Sequence, residues 1–109
     1  MTLKQLSVAS ECAPFVKTGG LADVVGALGP ALAAHDVECR VLLPLYRQIS
    51  HLAHGAEVVL EAGSHFGGPV RVLAKHDSGI DLLLVDAPHL YDRPGQIYLN
   101  ENGSDWADN

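Results

Sequence analysis

The chain has 109 residues, 48% of them apolar, so it is one domain or a piece of one and has enough apolar content to exclude disorder. A net charge of −6 argues against nucleic-acid or anionic-membrane binding, which calls for a broad basic field. No apolar run reaches membrane-spanning length, and residues 1–5 lack a signal peptide's apolar stretch, so the expected location is the cytoplasm.

The first expected element is a strand over Gln5–Ala9. A loop from Ser10 leads into a helix from Leu21 to about Ala34. Leu21, Val24, Val25, Leu28 and Leu32 recur at helical spacing and define one apolar face. Ala22, Gly26, Gly29 and Ala33 form a second stripe, of small residues, that lets the helix lie close to a sheet. Pro30 removes a donor, so a kink is expected there. The apolar pattern continues to Leu32, so the helix should not end at it. A second strand over Glu38–Leu43 is nearly continuous in apolar residues, as if buried on both faces, and completes a βαβ unit.

Leu45–His54 reads as a short helix or turn. Ala56–Ala62, Pro69–His76 and Ile80–Val85 read as three strands separated by Gly67-Gly68-Pro69 and Asp77-Ser78-Gly79. Turns of that kind predict an antiparallel β meander, with Ile80–Val85 its most buried strand. Residues 86–109 read mostly as loop. The fold class is α/β with a Rossmann-like βαβ start.

Chemistry concentrates in Ser10–Asp23. Lys17-Thr18-Gly19-Gly20 lies at the entry to the helix, where unpaired amides carry partial positive charge. Two glycines let a ligand approach the backbone, and Lys17 adds a full charge, so the turn suits an anion, most plausibly phosphate. The plainer reading of the glycines is a β–α connection, and of Lys17 a solvated loop residue. Asp23 sits in the first helical turn, where a carboxylate is favourable. Glu11 either hydrogen-bonds a sugar hydroxyl or caps the loop. Tyr91, Tyr98 and Trp106 offer aromatic faces to a sugar, although each is as readily a packed surface ring. Asp86, His89, Tyr91 and Arg93 follow the most buried strand, where ligands collect in open α/β sheets. The six histidines complete no known metal spacing, so no metal site and no cofactor is expected. Cys12 and Cys39 are expected to be free thiols.

Ser10, Glu11, Pro14 and Lys17–Val24 together resemble the N-terminal signature of bacterial glycogen synthases and plant starch synthases. Two later stretches match as well: Val41-Leu42-Leu43-Pro44-Leu45-Tyr46, and Asp86–Gly95 with Tyr98 and Asp108-Asn109 following. The resemblance implies a GT-B type glycosyltransferase with two Rossmann-like halves. Such an enzyme transfers glucose from ADP-glucose to the nonreducing end of an α-1,4-glucan, with retention. It places Lys17, Thr18, Gly19, Gly20, Asp23 and Glu11 at the ADP-glucose donor site and Tyr98 in the acceptor-side segment, so Tyr98, with Tyr91 on the strength of its aromatic face, is a candidate glucan-binding residue. It also implies that residues 1–109 are part of the N-terminal catalytic domain, with the rest of that domain and the C-terminal domain absent. A chain so placed is expected to be inactive alone and to self-associate through an uncovered edge of strand one or two.

Two other readings stand beside this one. A dinucleotide-dependent oxidoreductase would need G-x-G-x-x-G after the first strand, and that motif is missing. A non-enzymatic α/β nucleotide- or partner-binding module is compatible with the acidic surface.

Overall fold

The computed structural model describes residues 2–108, so Asn109, the end of the third resembling stretch, lies outside them. Five strands and a long helix form the frame: β1 (Leu3–Val8), α1 (Gly20–Ala33), β2 (Val37–Pro44), β3 (Glu57–His65), β4 (Gly68–Asp77) and β5 (Ile80–Asp86). A 3₁₀ segment, Arg47–Ala53, follows β2, and one helical turn, α2 (Pro88–Tyr91), follows β5.

The strands make one sheet in the order β1-β2-β5-β4-β3. β1 pairs parallel with β2, and β2 pairs parallel with β5, with Val41 opposite Leu82 and Leu43 opposite Leu84. β5, β4 and β3 are antiparallel in turn. The predicted meander is therefore present, and its last strand also joins the parallel part of the sheet. Each meander turn has two residues at positive φ, Phe66-Gly67 and Ser78-Gly79. That backbone matches the twist of paired strands, and a glycine at the second position adopts it without steric cost.

The core lies on one face, where Val41, Leu43, Leu73, Leu82 and Leu84 meet Val25 of α1 and Ile49 and Leu52 of the 3₁₀ segment. β5 is the most buried strand of the meander, as expected. β2 differs from expectation. Val41 and Leu43 are buried, but Glu38 and Arg40 on the alternate face are exposed, so it is not enclosed on both sides. Nor is it an edge. β1 and β3 hold the edges, and β2 lies between β1 and β5.

Helix α1 runs through Pro30 to Ala33, as the pattern predicted. Its buried face keeps only part of the expected leucine–valine stripe: Val25 is buried and Leu28 and Leu32 are half-buried, but Leu21 and Val24 are 50% and 63% exposed, and Ala22 of the small stripe is buried instead. The reason is steric. A Cβ on Gly26 would sit 2.4 Å from the Ala13 carbonyl oxygen, so only small residues allow the loop and helix to approach this closely.

Candidate functional site

The C-terminal ends of three parallel strands converge. Ser10 and Glu11 follow β1, Leu45 and Tyr46 follow β2, and α2 follows β5. The loop after β1 is drawn back on itself by paired backbone bonds between Cys12 and Val16, and the Ala13 amide donates to the Ala22 carbonyl. This fixes the turn Lys17–Gly20 at the mouth of α1.

The N-cap of α1 is Gly19, which has no side chain to satisfy the first amides. Glu11 takes that role from eight residues upstream. Its Oε1 accepts the amides of Thr18 (3.3 Å), Gly19 (3.2 Å) and Ala22 (3.2 Å). Its Oε2 accepts the Thr18 hydroxyl and, at 2.8 Å, the Tyr98 hydroxyl. Glu11 is only 2% exposed, and it is ionised at any ordinary pH. The Thr18 hydroxyl first, then the Tyr98 hydroxyl, hold its carboxyl down at about 2, with the Gly19 and Thr18 amides adding to this and desolvation opposing it. Of the two readings of Glu11, this geometry supplies the loop cap.

Lys17 points outward. Its Nζ lies 2.7 and 2.9 Å from the two carboxylate oxygens of Asp23, and both side chains are more than half exposed. Asp23 thus meets Lys17 as well as the helix terminus. Among the described residues, the Gly20 and Leu21 amides have no hydrogen-bond partner, because Glu11 takes those on either side. An anion at this turn therefore finds Lys17 and the amides of Gly20 and Leu21, while the Gly19 amide already belongs to Glu11.

A second group of residues backs the loop. The Tyr46 hydroxyl donates to the Ser10 carbonyl at 2.7 Å, and the Ser10 and Tyr98 hydroxyls are 2.7 Å apart. Since the phenol of Tyr98 gives its proton to Glu11, Ser10 is the donor of that pair. Burial pushes the phenols of Tyr46 and Tyr98 up. Tyr91 stands edge-on to Tyr46, with ring centroids 5.6 Å apart. Tyr98 is therefore brought to the Lys17–Gly20 turn by its hydroxyl bond to Glu11, while Tyr91 packs against Tyr46. Trp106 carries the Arg93 guanidinium 3.9 Å above its ring. Sequence reasoning assigned no role to Tyr46 or to the Ser10 hydroxyl. The signal available was their place in two motifs at neighbouring strand ends.

Other expected features are placed plainly. Cys12 and Cys39 are free, and burial pushes the Cys12 thiol up. Among the described residues, no three His, Cys, Asp or Glu side chains gather as a metal site. No helix is long and apolar enough to cross a membrane.

A mixed α/β sheet whose helix α1 is entered by a lysine–glycine turn at the C-terminal end of its parallel strands defines a protein of the Rossmann-like class. Residues 4–109 match the family model of the starch synthase catalytic domain, and the chain belongs to that family. The glycogen synthase of Roseobacter denitrificans is 56% identical over 107 residues, which cover 98% of this chain and 22% of that protein. Glycogen synthase 2 of Bradyrhizobium diazoefficiens is 54% identical over 104 residues, covering 95% and 22%. The catalytic domain of starch synthase IV from Arabidopsis thaliana, bound to ADP and acarbose, superposes with a TM-score of 0.73 at 25% identity, covering 94% of this chain and 22% of that one. The chain thus spans about a fifth of the length of the relatives it matches.

Proposed function

We infer that the chain is part of a retaining glucosyltransferase that moves glucose from ADP-glucose to the nonreducing end of an α-1,4-glucan such as glycogen, in the cytoplasm. Residues 1–109 would belong to its N-terminal domain, with a second domain closing over the donor. The observation that carries this reading is the turn itself. Lys17 and the unpaired amides of Gly20 and Leu21 belong to exposed residues at the mouth of α1, in a chain of the starch synthase family. A nucleoside diphosphate is the leaving group of such a transfer, and a lysine with helix amides stabilises its developing charge.

On this reading Lys17 leaves Asp23 for the diphosphate, an exchange that costs little because the pair is exposed. Glu11 fixes the turn and does not touch the phosphates. Tyr98 and Tyr91 lie towards the glucan. With about a fifth of its relatives' length, the chain alone holds one wall of a two-domain cleft, and without closure water screens the diphosphate. It is therefore expected to bind ADP weakly and to transfer no glucose.

Titration calorimetry of the chain with ADP tests the reading, with Lys17→Ala alongside. Binding that weakens at least tenfold in the variant supports it. Equal affinity in the two proteins would remove Lys17 from the site.

A further inference from the structure

One carboxylate joins two segments that lie far apart in the sequence. Glu11 accepts from the Thr18, Gly19 and Ala22 amides and the Thr18 hydroxyl on one side. On the other it accepts the hydroxyl of Tyr98, 87 residues further along the chain. Both oxygens are engaged, and an ionised carboxylate repels a diphosphate, so Glu11 acts through the geometry of the turn rather than by touching the donor. Tyr98 also lines an open hollow of about 320 Å³ with Ser10, Tyr46, Tyr91, Arg93 and Asp108. That set of phenols, hydroxyl, guanidinium and carboxylate is suited to a polyhydroxylated ring.

We propose that Glu11 is the positioning residue of the Lys17–Gly20 turn, and that Tyr98 couples it to occupancy of this hollow, so that a glucan in the hollow and a diphosphate at the turn bind interdependently. The proposal rests on the reading of the turn as the donor site. Five donors share the two oxygens of Glu11, more than the roughly four lone-pair directions available. A sugar hydroxyl that draws the Tyr98 phenol away leaves four donors, and those on Thr18, Gly19 and Ala22 tighten. The backbone that presents Gly20 and Leu21 moves with them. Linkage makes the effect reciprocal: whatever the glucan does to the diphosphate, the diphosphate does to the glucan.

Two substitutions separate geometry from charge. Glu11→Gln keeps one oxygen for the three amides and turns its NH₂ towards two hydroxyls that can accept, so the turn survives. Glu11→Ala removes every bond. Tyr98→Phe removes the link to Glu11 together with the Ser10 contact, and leaves the Thr18, Gly19 and Ala22 bonds in place. ADP binding is measured by calorimetry with and without saturating maltoheptaose. In the native chain the sugar changes the ADP dissociation constant at least about fivefold, the lower end of ordinary coupling. In Tyr98→Phe the change falls below about twofold. An equal change in both proteins, or none in the native chain although both ligands bind, overturns the proposal.

Failure of ADP to bind at all would count against the donor-site reading instead. Amide hydrogen exchange of the unliganded proteins then decides the coupling. Gly19 and Ala22 should exchange fastest in Glu11→Ala, be rescued in Glu11→Gln, and exchange measurably more slowly in Tyr98→Phe than in the native chain, with β4 and β5 unaltered. Native exchange at both amides in Tyr98→Phe would overturn it.

Discussion

The loop after β1 and the hairpin β3–β4 are built in opposite ways. The loop buries a carboxylate and a thiol, Glu11 and Cys12, while the apolar Val58, Val59 and Leu60 of β3 stay between 42% and 55% exposed. Apolarity alone does not sort these residues. Glu11 is buried because the amides at the mouth of α1 lack partners, and an ionised acceptor satisfies three of them together. β3 is exposed because it is the sheet edge and pairs only with β4, through a ladder interrupted by two irregularities. Backbone hydrogen bonds hold both regions. Side chains enclose only the first.

The sharpest way to break this contrast is to truncate one leucine in each setting. Leu84 is fully buried in β5 at the centre of the sheet, and Leu60 is 55% exposed on β3. Leu84→Ala should cost about 2–5 kcal/mol, the range for a cavity in a packed core. Leu60→Ala should cost about 0.5 kcal/mol, as surface changes do. Urea unfolding of both variants measures this, and similar losses would mean that β3 is covered in solution.

A second pair sharpens the account of the loop. A Cβ on Gly26 would collide with the Ala13 carbonyl, whereas one on Gly29 would meet the Cys39 Cβ at 3.6 Å, an ordinary contact. Gly26→Ala should destabilise by about 1–3 kcal/mol through overpacking. Gly29→Ala should be neutral or stabilise by up to about 1 kcal/mol through helix propensity. If thermal unfolding ranks them the other way, the close loop–helix approach is not what selects the small stripe.

How much was legible in the sequence follows from how local each determinant is. The hairpin turns were legible because positive φ selects glycine within two residues of the strand ends. The entry of α1 was legible because the change from glycines to an apolar run at helical spacing is also local, and with it the Lys17–Gly20 turn. The buried face of α1 was partly misjudged because periodicity weighs the bulk of Leu21 and Val24. It has no knowledge of the Ala13 carbonyl that Gly26 must pass. Pairing of β5 with β2, which puts β2 inside the sheet, depends on contacts some 40 residues apart that no local pattern encodes. A cap was one of two readings of Glu11, and which amides and which distant hydroxyl it takes was hidden. It stands outside any local capping spacing, and its Tyr98 partner is 87 residues away.

Acid should weaken the loop in a defined window. The carboxyl of Glu11 is held at about 2 in the folded chain against 4.5 for an unperturbed glutamate, so its folded pKa is depressed. Its contribution is then complete above pH 4.5 and is lost as pH falls towards 2. Urea midpoints of the native chain and Glu11→Gln should differ most above pH 4.5, draw together as pH falls below it, and meet only as pH approaches about 2. A constant gap down to pH 3 would mean that Glu11 is not ionised in the fold.

The smallest expected effect on stability concerns the exposed pair at the turn. Asp23 holds Lys17 at 2.7 Å, but with both side chains more than half in water the pair should contribute only about 0–1 kcal/mol. Asp23→Asn should therefore leave unfolding almost unaltered. Its consequence lies in binding. The substitution removes one negative charge from beside the diphosphate and releases the Lys17 ammonium from its present partner, so ADP should bind several-fold more tightly. Because the site is open to solvent, the gain should shrink as salt rises from about 20 to about 200 mM, over which the Debye length falls from roughly 20 Å to under 10 Å. Calorimetry at the two salt concentrations measures both effects. Weaker ADP binding in Asp23→Asn would mean that Asp23 orients Lys17 for the phosphate rather than competing with it, and the exchange of partners assigned to Lys17 would be wrong.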